Sequence, residues 1–333
     1  MSQAPLRPSP FVKEGETMPA PPALKQKEMG SQNSPHSSTH TLAIEEPLEI
    51  RLEYMAEGTP QRKSVSITMR TPGNDHELAA GFLFTEGIIT GWEDIKHIRS
   101  CGPVVNGQNF QNIVRVAVHP HVSIKTDTME RNFYTTSSCG ICGKTSIDAL
   151  KIHNHYGMHI KHLTAFSVNK TTLLTLSERM TSHQHLFQQT GGCHASALFD
   201  KQGNLLCLRE DVGRHNALDK VLGWALKNGY LPLHHHMAVV SGRASFELMQ
   251  KASMGGIPLV AAVGAPSTLA VQVAKEFNIT LIGFLTHDRF TTYHDTGRIH
   301  DLTEIAAGET HGQPLQQNGH PVKTHVGSSA RRS

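Results

Sequence analysis

Two cysteines three positions apart form the densest group of reactive side chains in this sequence. Cys139 and Cys142 stand in the segment TTSSCGICGKTSIDAL, residues 135–150, and a glycine follows each of them. Glycine leaves the backbone unshielded and free to adopt a positive φ, which favours an open loop around the thiols. The apolar residues after the loop fit a short helix, whose N-terminal dipole and free N–H groups favour a thiolate. The segment therefore predicts thiolate chemistry, which is redox exchange, zinc binding or sulfur transfer.

The composition of the chain indicates in which compartment these thiols work and argues against nucleic acid or membrane as a partner. Five cysteines in 333 residues, with a CxxC among them, favour reactive or metal-bound thiols in a reducing compartment over a disulfide scaffold. The net charge of +3 is too small to indicate nucleic-acid or membrane-surface binding. No apolar run approaches the roughly 20 residues that span a bilayer, and the N-terminus lacks the apolar stretch of a signal peptide. We therefore expect a soluble, cytoplasmic protein that binds neither nucleic acid nor membrane.

The two ends of the chain differ in composition from its middle. Residues 1–40 are rich in proline, and residues 306–333 are rich in glycine, glutamine, histidine and serine. Neither end can bury enough apolar surface to offset its ordering entropy. We predict a disordered extension at each end and a structured core over residues 41–305.

The first part of the core reads as a small α+β domain. Residues 48–54 and 64–69 alternate apolar and polar side chains, which is typical of a β-hairpin. A helix capped near Asn74 and a strand over 111–124 are predicted to follow. We assign residues 41–134 to this domain, which ends before the cysteine loop.

In the second part of the core, apolar strands alternate with amphipathic helices. We predict a helix over 171–187, a hairpin from 194–200 and 204–210, helices over 214–228, 244–254 and 266–277, and strands over 237–240, 257–263 and 279–285. This alternation indicates right-handed crossovers and a largely parallel sheet that is buried on both faces. Residues 135–305 are therefore predicted to form an α/β domain.

Three polar segments follow predicted strands of this domain, where open α/β sheets bind their ligands. They are EDVGRHN at 210–216, SGRAS at 241–245 and THDR at 286–289. Each segment places an arginine beside a helix start or a loop, and a helix N-terminus with an arginine suits a phosphate or another anion. Because the segments belong to one sheet, we predict that they lie on one side of it and bind a phosphorylated ligand. The candidate contacts are Arg214, His215, Ser241 and Arg243.

Five sequence blocks together resemble one family, the formate dehydrogenase accessory sulfurtransferases (FdhD/NarQ). They are RTPGNDHELAAGFLFTEGI, SSCGICGKTSI, TGGCHASAL, EDVGRHNALDKVLG and SGRASFELMQKA. The resemblance covers about residues 41–295, which is nearly all of the predicted core. It implies a cytidine-deaminase-like, three-layer α/β domain preceded by a smaller α+β domain.

The resemblance also implies a function. Members take sulfur from a cysteine desulfurase as a cysteine persulfide and pass it to the molybdenum (or tungsten) bis-molybdopterin guanine dinucleotide cofactor that formate dehydrogenase needs. The persulfide falls on Cys139, with Cys142 as the assisting thiol, and no zinc or other metal bound directly by the protein is implied. A homodimer is compatible with the exposed helices of the α/β domain. The guanine-nucleotide contacts fall on Phe284, Leu285, Thr286, His287, Asp288 and Arg289.

Three other interpretations stay open at this stage. The CxxC also occurs in thiol–disulfide oxidoreductases, although here it follows a whole α+β unit instead of opening a βαβ unit. A zinc site of deaminase type lacks the H-x-E…P-C-x-x-C signature, but Cys193 and His194 could supply ligands. A chaperone that only holds the cofactor and docks formate dehydrogenase would use the same polar segments. Cys101 and Cys207 are expected to be structural.

Overall fold

The structure covers most of the predicted core. This computed structural model describes residues 39–102, 111–124 and 166–301, with the short pieces 23–27, 104–105, 108–109, 154 and 156–157. Cys139, Cys142, the predicted domain boundary at 134–135 and the C-terminal extension lie outside the described residues. Within the predicted N-terminal extension, strand β1 (Ala23–Lys27) pairs antiparallel with strand β2 (Thr39–Ala43). The rest of that extension lies outside the described residues as well.

Within the described residues, four strands form a sheet, called here the N-terminal sheet. Its strand order is β4-β3-β8-β5, with β3 (Glu46–Ala56), β4 (Thr59–Arg70), β5 (Ile95–Cys101) and β8 (Ile113–Val118). Strands β3 and β4 form the predicted hairpin, and β3 runs parallel to β8. The alternation in β3 buries Leu48, Ile50 and Leu52 against helix α1 (Asp75–Thr85). Between these elements lie a 3-10 turn (Trp92–Asp94) and the short strands β6 (Val104–Val105) and β7 (Gln108–Asn109).

Six described strands form a second sheet, called here the C-terminal sheet. Its order is β11-β10-β12-β13-β14-β15, with β10 (His194–Asp200), β11 (Leu205–Asp211), β12 (His236–Val240), β13 (Leu259–Ala262), β14 (Thr280–Gly283) and β15 (Thr291–His294). Strands β10 and β11 form the predicted hairpin, and β12, β13 and β14 are parallel, as predicted. A short strand β9 (Val168–Asn169) pairs with β16 (Ile299–His300). The mixed α/β fold is therefore confirmed.

Helices cover both faces of the C-terminal sheet. Helices α4 (Arg214–Lys227), α5 (Phe246–Met254) and α6 (Thr268–Glu276) share one apolar core with the sheet. Helix α2 (Lys170–Ser182) packs into the core on the other face. Helices α5 and α6 begin two residues later than predicted because the hydroxyls of Ser245 and Ser267 accept their first N–H groups. None of the helices in the described residues is long and apolar enough to cross a membrane.

The single helix predicted over 171–187 is wrong, because the structure divides it into α2 and α3 (His185–Thr190). The hydroxyls of Thr181 and Ser182 donate to carbonyls one turn back and end α2. The Glu210 carboxylate then accepts the N–H groups of Leu186 and Phe187 at 2.8 and 2.7 Å and starts a new helix. The Glu210 side chain, which belongs to β11, thus caps a second helix and keeps α2 from continuing.

Helix α1 packs against the N-terminal sheet and helix α4 against the C-terminal sheet. The two helices cross at a pair of glycines, Gly81 and Gly223. A Cβ on Gly223 would overlap the Glu77 carbonyl, and a Cβ on Gly81 would overlap the Asp219 carbonyl. A buried ion pair between Arg209 and Glu77, 2.6 Å long, lies beside the crossing. The backbones therefore touch directly, with no space for a side chain.

Replacing Gly223 with alanine is expected to lower the free energy of unfolding by about 2 kcal/mol, because a methyl group forced between packed backbones must push the helices apart. Urea unfolding followed by circular dichroism measures the change. Gly192→Ala is the matched control, since its Cβ would lie in ordinary contact, 3.6 Å from the nearest atom. Equal unfolding midpoints for the Gly223→Ala protein and the wild type would contradict the close crossing.

Candidate functional site

The three polar segments leave the C-terminal sheet at one edge, called here the carboxyl edge. Strand β10 is antiparallel to both β11 and β12, so β11 runs in the same direction as β12, β13 and β14. The segments 210–216, 241–245 and 286–289 follow β11, β12 and β14. Their predicted convergence is therefore confirmed, and the chain entering β10 at His194 comes to the same edge.

The segment 210–216 is anchored by a buried ion pair. The Asp211 carboxylate lies 2.7 Å from Lys220 Nζ, and both side chains are almost fully excluded from solvent. Asp211 also accepts the N–H groups of Thr71 and Gly213 and the side-chain amide of Asn216. Lys220 donates in turn to the Thr71 carbonyl at 2.9 Å. These bonds fix the start of α4 relative to the end of β4.

The N-termini of α4, α5 and α6 all point to the carboxyl edge, since each helix follows a strand that ends there. Ser245 and Ser267 cap α5 and α6, whereas α4 is preceded by Gly213, which has no side chain to cap it. In the part of the chain that the structure describes, no side chain caps the first N–H groups of α4, which can therefore bind a ligand or solvent. Aligned helix dipoles make this edge favourable for an anion.

Basic side chains add to this positive field. Arg214 and His215 lie half-buried in the first turn of α4, and Arg243 is exposed after β12. His194 lies half-buried at the start of β10, where burial and the nearby Arg214 and His215 hold its pKa below the ordinary 6.5. Ser241 is tied to β10, because its hydroxyl accepts the Ala195 N–H at 2.8 Å. These positions suit an anionic ligand, and the individual ligand contacts stay predictions.

The predicted loop 284–289 presents some of its side chains and buries others. Phe284 has a φ of 53° and is 47% exposed, whereas Leu285 lies in the core and is 1% exposed. Leu285 therefore anchors the loop in the core, where its N–H donates to the Ala262 carbonyl at 3.0 Å, and it presents no surface to a ligand. The Thr286 hydroxyl donates to Asp288 at 2.5 Å, which holds the pKa of that carboxyl below its ordinary value. His287 and Arg289 are exposed beside this turn.

Backbone hydrogen bonds connect the loops of the carboxyl edge. The Phe284 N–H donates to the Gly264 carbonyl at 3.3 Å, and the Gly264 N–H donates to the Gly242 carbonyl at 3.0 Å. Val263, beside Gly264, is 36% exposed. The sequence prediction missed this middle loop because Val263 ends an apolar run that was assigned wholly to a buried strand. Exposed Phe284 and Val263 thus give a polar edge some apolar surface.

Two of the three described thiols, Cys193 and Cys207, are poor nucleophiles, whereas Cys101 is half-buried. Cys193 is buried with its Sγ 3.9 Å from the Thr71 hydroxyl, and burial raises its pKa to about 11. Burial in the core raises the pKa of Cys207 to about 12, which fits its expected structural role. No cluster of three or more metal-ligating side chains occurs among the residues that the structure describes. Because Cys139 and Cys142 lie outside those residues, a zinc site that includes them is untested.

The family follows from a comparison that spans both the cysteine segment and the carboxyl edge. A profile of the FdhD/NarQ family matches residues 43–300. This chain belongs to the FdhD/NarQ family. The match extends slightly past the 41–295 range of the predicted resemblance at its C-terminal end and confirms that resemblance.

Individual FdhD/NarQ relatives agree with this result. Sulfur carrier protein FdhD of Streptomyces coelicolor is 48% identical over 260 residues, which cover 78% of this chain and 89% of that protein. The protein of the same name in Picrophilus torridus is 41% identical over 262 residues, covering 78% and 92%. The crystal structure of a formate dehydrogenase accessory protein from Desulfotalea psychrophila has a TM-score of 0.61 at 22% identity, covering 84% of this chain and 99% of that one. This structural likeness supports the fold alone.

Proposed function

We propose that this protein is a sulfurtransferase that carries sulfur on Cys139 from a cysteine desulfurase to the molybdenum bis-molybdopterin guanine dinucleotide cofactor of formate dehydrogenase. The family match over residues 43–300 carries this proposal, because it includes the cysteine segment and all three polar segments. The names of the relatives support the same role, since they are called sulfur carrier proteins. The cofactor is the substrate here and is not a resident group.

In the first step, the Cys139 thiolate attacks the outer sulfur of the desulfurase persulfide. The donor's S–S bond breaks, its cysteine leaves as a thiolate, and a persulfide forms on Cys139. The predicted Gly-flanked loop gives the donor access, and the predicted helix after it favours the thiolate. Sulfur moves at the same oxidation level, so this step needs no added oxidant or reductant.

In the second step, the Cys142 thiolate attacks the Sγ of Cys139. The S–S electron pair leaves with the outer sulfur, which departs as hydrosulfide toward the metal of the cofactor. A disulfide between Cys139 and Cys142 remains, and a cellular dithiol reduces it to restart the cycle. Cys142 is thereby the assisting thiol, whereas buried Cys193 and Cys207 take no part.

The carboxyl edge fits the nucleotide arms of this substrate. Each arm carries a diphosphate, for which Arg214, Arg243 and Arg289 supply charge-assisted donors together with the N-terminus of α4. The guanine ring needs an apolar surface, and Phe284 supplies an exposed aromatic ring at the same edge. The arginines, the N-terminus of α4 and the Phe284 ring thus match the charge and the aromatic surface of a guanine nucleotide.

Guanosine diphosphate, one arm of the substrate, is therefore expected to bind the purified protein, and Arg243→Ala is expected to weaken the binding about tenfold through loss of a charge-assisted hydrogen bond. Isothermal titration calorimetry measures both affinities. Arg62→Ala is the control, because Arg62 is an exposed arginine on the N-terminal sheet, paired with Glu53. If guanosine diphosphate fails to bind the wild type, the nucleotide site is wrongly placed.

We also propose how the C-terminal domain is layered and which proteins this protein meets. Helices on both faces of the C-terminal sheet support a cytidine-deaminase-like, three-layer domain. The desulfurase and formate dehydrogenase both have to reach the cysteine loop, which makes them transient partners of the same region. We propose a cytoplasmic location, where reducing conditions keep both thiols free, and a homodimer as the working assembly.

A further inference from the structure

A histidine and a glutamate from two different helices form a hydrogen-bonded pair at the carboxyl edge. His215 Nε2, in the first turn of α4, lies 2.9 Å from Glu247 Oε2, in the first turn of α5. The Ser245 hydroxyl lies 3.3 Å from the same nitrogen and 3.2 Å from the same carboxylate oxygen. Among the described residues, contacts to the His215 ring nitrogens are made through Nε2 alone.

From this pair we propose that Glu247 is a positioning residue, which holds His215 so that Nδ1 donates a hydrogen bond to the diphosphate of the nucleotide arm. This inference rests on the proposed function and names a further residue for it. Within the described part of the chain, no group hydrogen-bonds to His215 Nδ1, and the ring is partly exposed. The free nitrogen is thus accessible to a ligand.

The charges around the ring explain why an acid is needed at a site for anions. The N-termini of α4 and α5 and the nearby Arg214 make this edge positive, and a protonated histidine at a helix N-terminus is disfavoured. The Glu247 carboxylate is favoured at the start of α5 and offsets that repulsion. With Glu247 at Nε2 and a bound diphosphate at Nδ1, the ring would have an anionic acceptor at each nitrogen.

Other titratable groups act on the pair from β10 and from the pair's own helices, including Asp219 of α4 and Lys251 of α5. His194 approaches from the start of β10 and Arg214 from α4, and both act on the charge of the pair. His215 and Arg214 hold the pKa of Glu247 at about 2, so that Glu247 stays ionised at neutral pH. The exposed Arg243 lies on the loop that leads into α5. A diphosphate bound here would meet donors from β10, from α4 and from the loop after β12.

The direction of the affinity change in Glu247→Ala separates a positioning role from a simple charge effect. If Glu247 were only a surface acid near an anion site, its removal would relieve repulsion and leave guanosine diphosphate affinity unchanged or higher. If it positions His215, Glu247→Ala lowers the affinity about tenfold, which is the effect of one charge-assisted hydrogen bond. Glu247→Gln keeps an acceptor for Nε2 but loses the negative charge, so its loss of affinity should be smaller than that of Glu247→Ala, about threefold.

The test is calorimetric titration of the full-length protein with guanosine diphosphate, using Glu247→Ala, Glu247→Gln, His215→Gln and the double variant His215→Gln/Glu247→Ala. The losses of affinity in Glu247→Ala and in His215→Gln should overlap, so that the double variant binds guanosine diphosphate no more weakly than His215→Gln alone. Ring nitrogen-15 shifts should show a hydrogen-bonded proton on Nε2 of His215 in the wild type that is lost in Glu247→Ala. Glu178→Gln, an exposed acid on α2, is the control and should bind as the wild type does.

The outcomes separate this inference from the proposed function. If Arg243→Ala weakens binding but Glu247→Ala does not, or if the Glu247 and His215 losses add, the positioning role is wrong and the nucleotide site stands. If the wild type binds no guanosine diphosphate, both the inference and the placement of the nucleotide site are wrong. The positioning role is supported if Glu247→Ala lowers the affinity, if its loss overlaps with that of His215→Gln, and if the hydrogen-bonded proton on Nε2 of His215 is lost in Glu247→Ala.

Discussion

The Cys139→Ala protein is expected to gain no sulfur from a cysteine desulfurase and to leave formate dehydrogenase inactive. Sulfur transfer needs a thiolate that can be reached by the donor protein, and the described Cys193 and Cys207 are buried with pKa values raised to about 11 and 12. Their thiolate fractions at neutral pH are too small to replace a Gly-flanked thiol. Mass spectrometry after incubation with desulfurase and cysteine should show one added sulfur on the wild type and none on the variant.

Three further measurements attribute this result to Cys139. Cys142→Ala should still gain the sulfur on Cys139 but should fail to release it, because the attacking thiol of the second step is absent. Cys193→Ala should behave as the wild type does in both steps. In cells that lack this protein, only the wild type and Cys193→Ala should restore formate dehydrogenase activity.

Two results would overturn the assignment of Cys139. If the Cys139→Ala protein gained sulfur on Cys142, the carrier would be the second thiol. If the Cys139→Ala protein restored full formate dehydrogenase activity, the protein would act as a chaperone that only holds the cofactor. A reversible Cys139–Cys142 redox couple without any persulfide would favour a thiol–disulfide oxidoreductase.

Replacing Lys220 with methionine is expected to lower the free energy of unfolding by about 3–5 kcal/mol, since it leaves a buried carboxylate without its cation. Lys220 Nζ lies 2.7 Å from Asp211, and the two side chains are 1% and 0% exposed. Methionine fills a similar volume, so the loss reports the missing charge more than a cavity. Urea unfolding monitored by fluorescence and circular dichroism gives the change.

The matched control is Lys227→Met at the exposed end of the same helix, which should change stability by no more than about 0.5 kcal/mol. Adding Asp211→Asn to Lys220→Met removes the unpaired charge and should restore about half of the loss. If Lys220→Met were as stable as Lys227→Met, the ion pair would not anchor the segment 210–216. If the double variant were no more stable than Lys220→Met, the loss would come from packing and not from charge.

Much of the fold could be predicted because it depends on local patterns. Period-two alternation predicted the hairpin of β3 and β4, and apolar strands between amphipathic helices predicted the parallel strands β12, β13 and β14. The convergence of the polar segments followed, since parallel strands end at one edge of a sheet. The helix over 171–187 failed because its break depends on Glu210, which lies on β11 and caps α3 through space.

The sequence by itself indicated the candidate thiols, most of the order of strands and helices, and the family blocks, because residue type and spacing encode them along the chain. The tertiary structure decided what holds the carboxyl edge together. Lys220 bonds to a carbonyl 149 positions away, and His215 meets Glu247 from another helix. No local pattern encodes such partners, since many lysines and glutamates look alike in sequence and only packing chooses among them. The charges of the candidate site were therefore visible in the sequence, whereas their anchoring and orientation came from the fold.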